Sequence, residues 1–241
     1  MADAHFEHPR LAMLYDPLDP DRQDLDVYAA MAAEFGACDV LDIGCGTGVL
    51  ACLLAGRGHA VTGLDPALAS LEIARGKPFA DRVRWIHGTT AALPAELRTD
   101  LVTMTGNVAQ VFLTDTDWAA VLDAAHRVLR EGGRLVFETR DPDRRAWREW
   151  DRAHSYVKTD IPGVGGVEGW HEVTGVTGEF VTFRATYVFA SDGAVLTSES
   201  TLRFRPKAAV TESLAAAGFT VEEIRDAPDR PGKEFVFIAA R

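Results

Sequence analysis

Three glycines at alternate positions, Gly44, Gly46 and Gly48, follow one carboxylate, Asp42, and precede another, Asp65. Glycine has no Cβ, so such a run lets backbone approach a ligand closely and take dihedral angles closed to other residues. A helical pattern starts directly after Gly48. The first N–H groups of a helix lack intrahelical partners, which suits an anionic group such as a carboxylate. Asp65 stands at the end of the next apolar run, Ala60-Val61-Thr62-Gly63-Leu64-Asp65-Pro66. An acid about 20 residues beyond the first glycine can accept hydrogen bonds from ribose hydroxyls. These residues together describe a nucleotide-type cofactor site at the carboxyl end of a parallel sheet.

Strands and helices must hold them there. The apolar run from Val40 that ends in Asp42 and the run Ala60–Asp65 read as strands, with Val83–His87, Asp100–Thr105 and Arg134–Glu138 as the third, fourth and fifth. Helices are expected over Thr47–Ala55 and Ala67–Arg75, stopped by Gly56, Gly58, Gly76 and Pro78. Trp118, Val121, Leu122, Ala125 and Leu129 recur at helical spacing, and Glu131-Gly132-Gly133 should turn the chain back. Strands alternating with helices imply a parallel sheet covered on both faces. After Pro142 the period becomes two: Val181, Phe183, Ala185, Tyr187 and Phe189 alternate with Thr182, Arg184, Thr186 and Val188, and Ser191-Asp192-Gly193 supplies a hairpin turn into Val195–Phe204. Another strand is expected around Val167–Val173. A helix near Ala208–Ala217 and strands Val221–Arg225 and Phe235–Ala240 close the pattern.

The glycine spacing is GxGxG, where the dinucleotide fingerprint is GxGxxG. With Asp42 and Asp65 in register, Val40–Leu50 resembles the first motif of the class I S-adenosylmethionine-dependent methyltransferases. The resemblance covers about residues 38–141 and, loosely, the last helix and strands. It implies an α/β Rossmann-like class I methyltransferase fold: a mostly parallel seven-stranded sheet with an antiparallel β insertion after the fifth strand. The whole chain is expected to be one domain: a helical cap over 1–36, a cofactor-binding core over 37–141, a substrate-side insertion over 142–205 and a closing helix and strands over 206–241. S-adenosylmethionine is the implied cofactor, with Gly44, Gly46 and Gly48 about its methionine portion and Asp65 at the ribose. Pro66 stands beside Asp65, and Cys45 lines the loop by position, with packing as its alternative role. Asp42 and Thr105 line the same strand ends, and Tyr15 stands where the family has a covering tyrosine. Thr89 and Thr90 occupy the place of the usual adenine-contacting acid, a departure from the pattern.

Asn107, Gln110 and Arg140 lie at the ends of the fourth and fifth strands, where open α/β sheets bind ligands. With Trp147 and Trp170 they are candidates for the acceptor side, as is Trp150. Glu138, His154 and His171 are candidate general bases, although methyl transfer has no universal catalytic residue. Asn107 and Gln110 could equally pin their own loop.

Lys plus Arg number 25 and Asp plus Glu 36, a net charge of −11. Such a surface repels a phosphate backbone and argues against nucleic acid as substrate. Neither an Asp/Asn-Pro-Pro-aromatic tetrapeptide nor a Pro-Cys nucleophile pair is present, which points the same way. Cys38, Cys45 and Cys52 form no CxxC pair, and the seven histidines are scattered, so no metal site is assigned. No apolar run approaches a membrane span, and residues 1–7 lack a secretory signal pattern. The expectation is a cytoplasmic enzyme, with a homodimer as one possible assembly, that methylates an oxygen or nitrogen of a small molecule. Its alternatives are a non-catalytic cofactor-binding regulator and a nicotinamide-dependent oxidoreductase.

Overall fold

The computed structural model describes residues 2–241. Three four-residue helices open it, α1 (Ala4–Glu7), α2 (Pro9–Ala12) and α3 (Tyr15–Leu18), followed by α4 (Asp24–Glu34). Then come β1 (Asp39–Ile43), α5 (Val49–Gly56), β2 (Ala60–Asp65), α6 (Leu68–Arg75), β3 (Val83–His87), β4 (Thr99–Met104), α7 (Asp115–Val128) and β5 (Leu129–Arg140). After α8 (Arg152–Ser155), four strands follow directly: β6 (Val157–Ile161), β7 (Gly165–Thr177), β8 (Phe180–Phe189) and β9 (Val195–Arg203). The chain closes with α9 (Lys207–Ala216), β10 (Thr220–Asp226) and β11 (Glu234–Ala240).

The main sheet has seven strands in the order β10-β11-β5-β4-β1-β2-β3. β1 to β5 pair in parallel, and β11 runs antiparallel to both β5 and β10. From β1 the chain winds first toward β3 and then back through β4. This reversal opens a crevice at the carboxyl ends of β1 and β4, where a ligand fits in such sheets. The expected seven-stranded α/β fold is the one observed.

Apolar side chains cover both faces of the sheet. Trp118, Val121, Leu122, Ala125 and Val128 of α7 are buried against Leu135, Phe137 and Phe237. Thr114 caps that helix by accepting the Asp117 N–H at 3.0 Å. The opposite face buries Leu50, Leu54, Val61, Leu101 and Val136 with Leu25 and Ala29 of α4. Each fully buried Leu or Val contributes about 1.5–3 kcal/mol relative to exposure.

The second sheet, order β6-β7-β8-β9, is antiparallel throughout. Its inner face places Val167, Ala185, Tyr187 and Phe189 against Leu11 and Leu14 of the N-terminal helices.

Three local details differ from the sequence reading. The helix after the glycine turn starts at Val49, because Gly48 has φ +76° and cannot be its first turn. Glu131-Gly132-Gly133 lies within β5, where the register against β4 shifts between Thr99 and Leu101, instead of turning the chain. β6 lacks an expectation altogether.

Candidate active site

The glycine loop is built by close approach. Gly44 and Cys45 donate their N–H groups to the Leu64 carbonyl at 2.8 and 3.1 Å, locking the loop to β2. A Cβ on Gly44 would stand 2.5 Å from Val108 Cγ2, and one on Gly48 2.5 Å from the Trp85 ring. Gly46 differs: a Cβ there would meet nothing within 4 Å, so this glycine borders open space. The loop is thus packed on two sides and free on the third.

Asp65 is tied to that loop. Its Oδ2 accepts the Gly46 N–H at 2.8 Å and its Oδ1 the Ala67 N–H at 2.7 Å. Burial raises its pKa, against the pull of those two hydrogen bonds. Asp42 lies deeper and accepts the Thr103 hydroxyl at 2.8 Å, joining β1 to β4 beneath the loop. Burial, reinforced by Asp65, pushes Asp42 up to about 7. Cys45 is buried, and its thiol is pushed up, so it serves as packing. Pro66 follows Asp65, with its carbonyl 3.0 Å from His87 Nε2. Thr89 is exposed and Thr90 half-buried past the end of β3, while Gly88 N–H donates to the Asp65 carbonyl at 2.9 Å.

The N-terminal helices lie across this edge. A Cβ on Gly106 would be 3.8 Å from the Tyr15 hydroxyl, which puts Tyr15 at the end of β4 beside Thr105. Asp16 accepts the Thr47 hydroxyl at 2.7 Å and pairs with Lys77. Glu7 accepts the Leu68 N–H at 3.0 Å, and Ser70 donates to the Phe6 carbonyl at 2.9 Å.

A buried knot of acids and arginines stands beside it. Glu138 Oε1 accepts the N–H groups of Gly106 and Asn107 at 2.7 and 3.1 Å. Burial and the neighbouring Glu234 push Glu138 up to about 7. Asn107, at φ +62°, donates from Nδ2 to Glu234 at 3.2 Å, and its buried Oδ1 has no partner. Arg140 donates to Gln110 Oε1 at 2.8 Å, and Arg230 meets Glu234 at 2.7 Å. Asn107, Gln110, Glu138 and Arg140 therefore sit together. Glu234 and Arg230 complete the knot and were not singled out in the sequence; an acid heading the apolar run of β11 was the available signal.

Of the insertion residues, Trp150 packs on Phe183 at 4.9 Å and under the Arg140 guanidinium at 5.4 Å. Trp147 meets Phe204 edge-on at 4.6 Å. His171 is on the inner face, 5.8 Å from Phe183, with burial lowering its pKa. His5, another residue sequence reasoning missed, joins it there. Its Nδ1 is 3.2 Å from the Tyr187 hydroxyl, its ring is 5.7 Å from Tyr15, and burial and His171 push it down to about 4. A lone histidine near the start of a chain carries no spacing signal.

Two placements are corrected. Trp170 pairs with Thr186 on the outer face of the small sheet, donates to Glu172 at 3.1 Å and lies 4.2 Å from the Arg152 guanidinium, so it does not line the acceptor side. Strand alternation turns it away, since its neighbours Gly169 and His171 take the inner face. His154 is exposed and bound to Asp151 at 2.8 Å, where it supports the cap of α8 instead of the site. Among the described residues, no helix is long and apolar enough to cross a membrane, and no three metal-binding side chains cluster.

Residues 40–133 match the family described as a methyltransferase domain. A ubiquinone biosynthesis O-methyltransferase of Azotobacter vinelandii is 38% identical over 104 residues, 42% of this chain and 43% of that protein. This chain thus spans less than half the length of that relative. Among solved structures, an S-adenosylmethionine-dependent methyltransferase from Clostridium acetobutylicum superposes with a TM-score of 0.74 at 17% identity, covering 97% of this chain and 98% of its own. A sugar N-methyltransferase from a Streptoalloteichus species gives 0.73 at 20% identity, covering 94% and 92%. At these identities the two structures are alike in fold.

Proposed function

We propose that this chain, whose residues 40–133 match a methyltransferase domain, is a class I S-adenosylmethionine-dependent methyltransferase that moves a methyl group to a nitrogen or oxygen of a small-molecule acceptor. The observation that carries the reading is Asp65, held by the Gly46 and Ala67 N–H groups beside the one loop glycine that borders open space. Each carboxylate oxygen retains a lone pair for a ribose hydroxyl. Gly44, Gly46 and Gly48 would take the methionine portion, with Tyr15 covering it, and Thr89 and Thr90 would flank the adenine.

When bound, S-adenosylmethionine supplies an electrophilic methyl group with a neutral thioether as leaving group. What remains for the protein is to orient an acceptor in line and keep water out. Asn107 Oδ1 supports that role: a buried acceptor atom without a partner costs about 1–3 kcal/mol, which a ligand N–H or O–H would offset. Gln110 and Arg140 hold the wall next to it, and Trp150 closes it on the insertion side. His171 and His5 are brought together on the inner face of the insertion, beside Tyr187 and Tyr15. They are the imidazoles placed to take a proton lost by the acceptor, although burial, which lowers the pKa of both, makes them weak bases. Glu138 serves instead to position the Gly106-Asn107 loop through its Oε1.

Calorimetric titration with S-adenosylmethionine, S-adenosylhomocysteine and NAD tests the reading. The two sulfur ligands should bind, and NAD should not. Labelled methyl transfer to a panel of amines and phenols then identifies the acceptor atom. Binding of NAD alone would overturn the proposal in favour of an oxidoreductase. Cofactor binding without transfer to any acceptor would favour a non-catalytic regulator.

A further inference from the structure

Past Arg140 the chain leaves β5, and a groove of about 720 Å³ opens between residues 141–148, the β7–β8 turn and the head of α9. None of the residues assigned above to the cofactor lines it. Its floor is aromatic: half-buried Trp147, buried Phe204 and half-buried Phe235. Trp147 is fixed by its edge-on contact with Phe204 at 4.6 Å, and the Lys207 ammonium stands 5.2 Å above the Phe235 ring.

The rim is charged in an uneven way. Arg145, Arg148 and Lys207 line the groove, and among the described residues none has a carboxylate within salt-bridge distance. Two of the three acids on the rim are already engaged: Asp141 lies 3.7 Å from Arg144, and Glu179 accepts from Arg203 at 2.8 Å. Asp143 alone is uncommitted. In a chain of net charge −11, the rim sets three cations against three carboxylates. The cations have no salt-bridge partner among the described residues, so their donors stay free to face a ligand on the aromatic floor. Arg145 is also held at φ +49°, a left-handed conformation that a non-glycine residue adopts at a cost.

We propose that this groove is a binding site for a planar aromatic anion, its ring against Trp147 and Phe235 and its carboxylate, sulfonate or phosphate facing Arg145, Arg148 and Lys207. The volume suits one small ligand, the aromatic faces take a flat ring, and none of the three cations is paired with a rim carboxylate. A cationic or uncharged ring of the same shape forgoes the last of these.

The probe is naphthalene-2-sulfonate, with naphthalene-2-sulfonamide as its uncharged isostere. Both are titrated into the full chain by calorimetry and tryptophan fluorescence, with and without S-adenosylhomocysteine. One sulfonate should bind per chain, at least tenfold tighter than the sulfonamide, with quenching that Trp147→Phe removes. The double variant Arg148→Glu/Lys207→Glu should abolish the preference for the anion. The milder Arg148→Gln/Lys207→Gln should reduce it several-fold, which keeps the test decisive if charge reversal harms folding. No sulfonate binding, more than one equivalent bound, equal affinity for the two probes, or an undiminished preference in both variants would overturn the proposal. Because the titrations are read with and without S-adenosylhomocysteine, failure of the cofactor reading leaves this result interpretable.

Discussion

The parallel core and the antiparallel insertion handle ionisable groups in opposite ways. In the core, Asp42, Asp65 and Glu138 are buried, bonded to N–H or hydroxyl groups, and pushed up by burial. In the insertion, Asp151 is held down by His154, Glu168 by Lys158 and Asp192 by Arg10, all at the surface. Burying a carboxylate is expensive and does not stabilise a fold, so three of them along one sheet edge mark where geometry has been kept at the expense of stability. The insertion keeps its acids for solvent, and His171 is the titratable group with a burial-lowered pKa on its inner face.

Glycine substitutions should break the contrast hardest. Gly44→Ala combines φ +71° with a Cβ 2.5 Å from Val108, and should cost about 2–5 kcal/mol from left-handed strain and overpacking. Thermal unfolding and cofactor titration should both register it. Gly178→Ala in the insertion has φ +58° but nothing within 4 Å, and should cost only about 1–2 kcal/mol with cofactor affinity intact. Equal losses at the two sites would erase the distinction.

Asp65→Ala should weaken S-adenosylhomocysteine binding by on the order of 1–3 kcal/mol, read by calorimetry. Unchanged affinity would remove Asp65 from the ribose site.

The pH response follows from the two kinds of acid. Asp42 and Glu138 bind their protons more tightly folded than unfolded, each with a folded pKa of about 7. Their contribution is therefore full below the ordinary carboxylate range and is lost as pH rises through about 7. Between pH 8 and 5.5 these two acids should raise the unfolding midpoint as pH falls, against the opposite pull of the buried His5 and His171, and Glu138→Gln should remove the Glu138 share of that rise. The insertion acids act with the opposite sign and only below the ordinary carboxylate range. A pH response of Glu138→Gln identical to that of the parent would contradict the burial argument.

The smallest effect is expected at Arg184, paired with Glu199 at 3.3 Å across β8 and β9. Arg184→Ala should change stability by no more than about 0.5–1 kcal/mol, measured by denaturant midpoint, and leave cofactor binding alone.

Legibility in the sequence followed the same divide. Val83–His87 was readable residue for residue, and the glycine loop with Asp65 could be placed, because strand, turn and helix there are set by neighbours in the chain. β8 showed through its alternation of period two. β6, Val-Lys-Thr-Asp-Ile, was silent: mostly exposed, it becomes a strand by pairing with β7. Glu234 and His5 were silent for a related reason. Glu234 reaches Asn107 across 127 positions of sequence and His5 reaches Tyr187 across 182, and no local pattern encodes such meetings. Trp170 shows the complementary error, a residue of suitable type on the wrong side of a two-sided strand.

The N-terminal strap has a consequence for the order in which this chain can assemble. Residues 5–16 touch the core at Leu68 and Thr47, but they also bond Tyr187, Asp192 and Ser198. On the ribosome the strap emerges before every one of those partners. It must wait while nearly 200 residues are made, so its docking is a late, long-range closure with a large loop entropy to overcome. The parallel sheet can meanwhile form beneath it, and the strap, made before all of its partners, is among the last segments to find its place.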